Sequence, residues 1–148
     1  MLRVYFDTCA LKRPWDDQSQ SRIASETLLM IELLGLVSRG SIIALRSPTH
    51  DDENALNPDP ERARVVGLWL AGLALPATVR PWFPARARAL HAMGLGPFDA
   101  LHLAWAEALK ADVLATTDDR LIARASRAKV ASPVRLMDLR TLRSEIPV

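Results

Sequence analysis

The sequence predicts an α/β fold, with helices layered on a mainly parallel sheet. Three observations carry that reading. Short apolar, β-rich runs alternate with helical patterns from one end of the chain to the other. The breaks between them are brief and marked by Gly, Pro and Asp. The 148 residues contain no repeat and no long linker, and they match the roughly 150 residues expected of one domain. A single domain over 1–148 is therefore expected. The 49% hydrophobic and 24% charged fractions are those of a globular chain and exclude fibrous or wholly disordered classes. At this length folding removes roughly two-thirds of the unfolded surface from water.

The first strand is Arg3-Val4-Tyr5-Phe6, which ends abruptly at Asp7-Thr8. A polar stretch from Lys12 to Ser21 follows. A helix is expected over 21–38, where Ile23, Leu28, Ile31, Leu34 and Leu36 supply the apolar positions and Gly40 closes the end. Ser41 to Leu45 is the second strand. Ser47-Pro48-Thr49 opens the next helix, with Ser as cap and Pro in the first turn. Asn57-Pro58-Asp59-Pro60 breaks it, and Glu61 to Leu75 forms another helical pattern. Helices are expected at 85–93 and 98–110, separated by Gly94-Leu95-Gly96-Pro97. The chain then reads as a strand at 113–116, a helix at 119–128 and a last strand at 134–136.

Charge and targeting features narrow the classes. Lys and Arg number 19 against 17 Asp and Glu, a net of +2 with the basic residues scattered, too small an excess to imply nucleic-acid binding on its own. The longest uncharged stretch, 65–79, is shorter than the roughly 20 residues of a spanning helix, and Pro76 interrupts it. The opening residues MLRVYFD hold no apolar run of the length of a signal-peptide core before Asp7, so no export signal is read. The lone Cys9 makes no internal disulfide, nor a zinc site with three scattered histidines. A reduced, cytoplasmic protein is expected.

The positions of the acids carry more information than their number. In open parallel sheets, ligands bind beyond the carboxyl ends of the strands. Asp7 follows the first strand and Asp118 the third; Asp99 opens one helix and Glu53 lies two turns into another. Carboxylates brought together there repel one another unless a cation intervenes, and oxygen ligands of this kind suit Mg²⁺ or Mn²⁺. Each acid also has a local explanation. Asp7 can cap a turn, Asp118 can cap the next helix, Asp99 suits a helix N-terminus, and Glu53 can face solvent beside Asp51 and Asp52.

Four segments together resemble the PIN-domain family, and within it the VapC-type toxin ribonucleases of type II toxin–antitoxin systems. Val4-Tyr5-Phe6-Asp7-Thr8-Cys9 is similar to the family's opening strand and first acid. Ser47-Pro48-Thr49-His50-Asp51-Asp52-Glu53 is similar to its capped helix, with the acid six residues after Ser. Phe98-Asp99-Ala100-Leu101-His102-Leu103-Ala104 and Thr116-Thr117-Asp118 are similar to its D-A-x-H-x-A helix and its T-x-D turn. The resemblance implies a three-layer α/β/α sandwich with a mainly parallel central sheet. It implies a Mg²⁺- or Mn²⁺-dependent endoribonuclease, held by a cognate antitoxin protein. Asp7 and Asp99 are then central ligands, Asp118 a ligand directly or through water, and Glu53 a ligand or a positioner of the attacking water. Thr116 is expected to hold a carboxylate or water from behind. Asp52 beside Glu53 and Asp119 beside Asp118 are competing acids.

Further candidates are His102, one helical turn after Asp99, and Arg120 and Arg124 after Asp118, which suit RNA phosphates. Arg80, Arg86 and Arg88 are alternatives. Trp69, Trp82 and Trp105 read as core or interface, and Trp15 as the exposed aromatic. The apolar helices near 26–36 and 65–75 carry surface for a homodimer seam or an antitoxin helix. Two other classes stay open: a PIN-like binding scaffold without catalysis, and a phosphotransfer domain using Asp7 as nucleophile. Cys9, where that chemistry wants a second Asp, counts against the last.

Overall fold

Strand β1 (Arg3–Phe6) lies inside a four-stranded sheet of the computed structural model, which describes residues 1–76 and 78–147. A one-turn helix α1 (Thr8–Leu11) and a 3-10 turn (Arg13–Trp15) lead to α2 (Ser21–Ser38), β2 (Ile43–Leu45), α3 (Pro48–Ala55) and α4 (Pro60–Ala71). The chain continues through α5 (Phe83–Ala92), α6 (Pro97–Ala108), β3 (Val113–Ala115), α7 (Asp119–Arg127), β4 (Arg135–Met137) and α8 (Leu139–Glu145). The strand order is β2-β1-β3-β4 and every pairing is parallel. Val4 lies opposite Ala44 on one side and Val113 on the other.

Alternation along the strands decides which layer each side chain joins. Val4, Phe6, Val113 and Ala115 enter one core, with Met30 and Leu33 of α2, Val66 and Leu70 of α4, and Leu139 and Leu142 of α8. Tyr5 and Leu114 point the other way, among Phe83 and Leu90 of α5, Leu103 and Trp105 of α6, and Leu121 of α7. Helices therefore cover both faces, and the three-layer α/β/α sandwich is observed. Burial on both sides explains why the central strand segments Val4–Phe6 and Val113–Ala115 are apolar at successive positions rather than alternating.

Most elements fall where the sequence places them. At the end of α2, Gly40 adopts φ +73°, and the bonds from Ser41 N–H to Leu36 O (2.9 Å) and Gly40 N–H to Val37 O (3.0 Å) close a Schellman turn. The helix expected to reach Leu75 stops at Ala71, capped by Gly72. Three elements lie outside the expectations. The turns at Thr8–Leu11 and Arg13–Trp15 are too short to show a helical period. Helix α8 does carry a signal: Asp138 accepts the Thr141 N–H at 2.7 Å, and Leu139, Leu142 and Ile146 are buried at helical spacing. No helix among the described residues is long and apolar enough to cross a membrane.

Two backbone bonds align the strand ends that matter for function. Asp7 N–H donates to Ala115 O at 2.8 Å, and Thr116 N–H to Met137 O at 3.0 Å. Asp7 and the Thr116-Thr117-Asp118 turn therefore leave the sheet side by side at its carboxyl edge.

Candidate active site

Asp7 is almost wholly buried, 4% exposed, and its two carboxylate oxygens have different surroundings. Oδ2 accepts from the Thr116 hydroxyl at 2.8 Å and from the Cys9 thiol at 3.2 Å. Oδ1 lies 3.8 Å from His102 Nε2. Thr116 Oγ1 in turn accepts the Asp118 N–H at 3.0 Å, so one hydroxyl ties the first acid to the turn that carries the last. Burial and the Asp7 charge push the Cys9 thiol far up, so Cys9 acts here as a neutral donor.

Glu53 reaches the same place from α3. Its Oε1 lies 2.9 Å from Nε2 of His102, a side chain with no exposure at all. Burial alone would raise the Glu53 carboxyl, but the His102 bond and charge, with Thr8 and Lys12, hold it below its usual value. The imidazole responds in the complementary sense. Burial would lower it, while the Glu53 bond and the charges of Asp7, Glu53 and Asp99 hold it raised. Ligand atoms of Asp7, Glu53 and His102 all lie within 4.8 Å of one another.

The helix phase separates the competing acids of the 51–53 run. Successive residues are turned by about 100°. Asp51 is drawn to Arg46 at 2.8 Å, Asp52 faces solvent, and Glu53 faces inward. Asp119 is likewise taken by Arg22 at 2.7 Å, away from Asp118.

Asp99 sits in the first turn of α6, half-buried, close enough to Gly96 that a Cβ there would meet its Oδ2 at 3.4 Å. Its carboxyl is pushed up to about 6, first by burial and then by the charges of Asp7 and Asp118, with Glu53 adding to them. The four acids therefore share one electrostatic site. Asp99 and Asp118 stand outside the close group of three ligand atoms, and Asp118 Oδ1 also caps α7 by accepting the Arg120 N–H at 2.9 Å.

His102, a candidate from its place one turn after Asp99, is fully buried and bonded at both ring nitrogens. Its Nδ1 bonds the Tyr5 hydroxyl at 2.6 Å, and its other face meets Thr8 Oγ1 at 3.4 Å. The neighbouring His50 is pushed down to about 3 by burial and by the His102 charge. It is held neutral, accepting from Ser47 N–H at Nδ1 (3.1 Å) and donating from Nε2 to Phe6 O (2.7 Å).

The basic candidates divide. Arg120, exposed, lines with Arg13, Arg22 and Asp118 an open cavity of about 300 Å³ beside the acids. Arg80, Arg88 and Arg124 are exposed. Arg86 is withdrawn from any such role by a two-pronged bond to Glu107 at 2.8 and 2.9 Å. Trp105 is core, but Trp82 is as exposed as Trp15.

The donor set suits a divalent cation. The carboxylates of Asp7 and Glu53 converge from β1 and α3, with Asp99 and Asp118 near enough to act on the same site electrostatically, and His102 Nε2 holds Glu53 from behind. A family model described as the PIN domain matches residues 4–128, and the chain belongs to the PIN-domain family. The matched span includes Asp7, Glu53, Asp99 and Asp118, and ends before β4 and α8. Membership implies nuclease chemistry in general, and with it the divalent metal such domains usually employ. No curated protein matches the chain.

Proposed function

We propose that the protein is a Mg²⁺- or Mn²⁺-dependent endoribonuclease that hydrolyses RNA phosphodiester bonds. The observation that carries this reading is the meeting of Asp7 and Glu53, within 4.8 Å and alongside His102, at the carboxyl edge of a parallel sheet in a PIN-family chain. Asp7, Asp99, Glu53 and Asp118 would hold the ion, which when bound supplies charge neutralisation at the phosphate and a more acidic water.

The chain's own residues then have distinct tasks. With Oδ2 of Asp7 saturated by Thr116 and Cys9, Oδ1 is the oxygen left to face the cation. Glu53, fixed by His102, orients the attacking water for displacement in line with the leaving oxygen. Hydrolysis forms one bond from water oxygen to phosphorus and breaks one phosphorus–oxygen ester bond, with one proton ending on the leaving oxygen, which departs as a hydroxyl, and the other released to solvent. Arg120 beside Asp118 positions a flanking phosphate without reading sequence.

We further propose that it acts in the cytoplasm as the toxin of a toxin–antitoxin pair, as a homodimer covered by a cognate antitoxin. Support comes from α2 and α4, which leave Leu28 70%, Ile31 56% and Leu68 63% exposed, apolar surface that a second chain could cover.

A nuclease assay on RNA and DNA, with Mg²⁺ or Mn²⁺ and with chelator, tests the activity. RNA cleavage that needs the ion and is lost in both Asp7→Asn and Asp99→Asn is expected. Retention of cleavage in both variants would overturn the assignment, and no metal-induced stabilisation would favour the scaffold reading. Light scattering in solution tests the dimer.

A further inference from the structure

A second polar layer lies beneath the acids and is sealed from solvent. Tyr5, Ser47, His50 and His102 are each 0% exposed. The Tyr5 hydroxyl stands 2.7 Å from Ser47 Oγ and 2.6 Å from His102 Nδ1, and His102 Nε2 continues to Glu53 at 2.9 Å. Ser47 is anchored in its turn. Its hydroxyl accepts the His50 N–H, and its own N–H is bonded by His50 Nδ1 in the capping box of α3. The Tyr5 ring stacks on His50, centroids 4.4 Å apart and planes at 22°. The chain of contacts therefore starts and ends on one helix, crossing β1 and α6 between Ser47 and Glu53.

Buried polar groups of this kind cost free energy unless each is satisfied, and an apolar residue at position 5 would fill a strand position equally well. Donor accounting explains what the hydroxyl adds. Ionised Glu53 offers only acceptors, so His102 Nε2 must carry a hydrogen toward it. A ring held only at that end is free to swing about its own bonds. With Nδ1 also held, the ring plane is fixed and the Nε2–H vector is aimed.

We propose that Tyr5 is a positioning residue for Glu53, acting through His102. This inference rests on Glu53 belonging to the metal site proposed above. Outer-shell partners of this type are typically worth about 10- to 100-fold in metal affinity or activity.

The test is a cycle of Tyr5→Phe, Glu53→Gln and the double variant on the full chain, read by calorimetric titration with Mn²⁺ in the absence of RNA. Tyr5→Phe keeps the stacked ring and removes only the hydroxyl. Its expected effect is a loss of about 10-fold or more in Mn²⁺ affinity, and little further loss when added to Glu53→Gln. The same variant is expected to lower kcat for RNA cleavage while leaving KM unchanged. An unaltered Mn²⁺ affinity, or the full loss repeated in the Glu53→Gln background, overturns the proposal, because the hydroxyl would then serve only the core. A second readout needs neither metal nor a folded Phe variant. Tyr5 is the sole tyrosine of the chain, so biosynthetic 3-fluorotyrosine places one fluorine reporter there. Its resonance is expected to move on Glu53→Gln, and a resonance that stays in place also overturns the proposal. If it moves while Glu53→Gln leaves Mn²⁺ binding untouched, the positioning contact stands and the metal-site reading of Glu53 falls.

Discussion

Removing the charge of Asp99 is expected to stabilise the metal-free protein, although the same change is expected to abolish metal binding. The Asp99 carboxyl is raised to about 6 from an unfolded value near 3.8, by burial and then by Asp7 and Asp118. A carboxyl whose folded value lies above its unfolded one destabilises the fold wherever it is ionised. The penalty is absent below about pH 4, where it is protonated in both states, and complete above about pH 6. At about 1.4 kcal/mol for each tenfold change in acidity, the full difference corresponds to about 3 kcal/mol. Asp99 is only half-buried, so solvent screening reduces this to about 1.5 kcal/mol. Urea melts of chelator-treated wild type and Asp99→Asn at pH 7.5 and pH 4 measure it. The variant should be the more stable at pH 7.5, and the advantage should vanish at pH 4. Adding Mg²⁺ or Mn²⁺ should reverse the order, since a ligand at 100 times its Kd contributes about 2.7 kcal/mol to the form that binds it. An Asp99→Asn variant less stable than wild type at pH 7.5 without metal would refute the reasoning, because the acids would then not be in mutual repulsion.

Other perturbations test neighbouring parts of the structure. Thr116→Val removes the donor to Asp7 Oδ2 and the acceptor for Asp118 N–H; a loss of about 2 kcal/mol in urea melts is expected, with metal affinity down about 10-fold or more by calorimetry. His50, pushed down to about 3 and bonded at both ring nitrogens, should show imidazole resonances that do not titrate between pH 5 and 8, and a midpoint near 6.5 would contradict its placement. Because its folded value lies below the unfolded one, it withdraws stability as pH falls below about 6.5. Asp52→Asn and Asp119→Asn should leave metal affinity within about twofold, as one carboxylate faces solvent and the other is held by Arg22. Leu142→Ala in α8 should cost about 3 kcal/mol by thermal or urea melting, because Leu142 is fully buried against the sheet; a loss below 1 kcal/mol would show that the fold does not depend on this helix.

Much of this protein was legible in one dimension because the signals involved are local. The Schellman turn at Gly40, the capping Ser47 before Pro48, and the apolar run Val113-Leu114-Ala115 each depend on residues within a few positions of one another. The acids Asp7 and Asp118 could be placed at strand ends for the same reason, since an apolar run stopped by Asp marks its own boundary. Helix α8 is marked by the Asp138 cap and by Leu139, Leu142 and Ile146 at helical spacing, a signal of only two turns that the sequence expectations omit.

What the sequence by itself determined is therefore the layered α/β class and the elements from which each acid projects. Only the tertiary structure decided which acids meet. Asp51, Asp52 and Glu53 have similar chemistry, but the phase of α3 sends one to Arg46, one to water and one to His102. His102 is 97 residues from Tyr5 and 49 from Glu53, and no local pattern encodes those contacts. Arg86 was a plausible phosphate contact until Glu107, 21 residues away, claimed it. Caps and periods are set by backbone geometry over one or two turns, whereas a charge finds its partner through packing of whole layers. Tertiary contact thus separates a carboxylate turned toward the acidic site from the solvated one beside it.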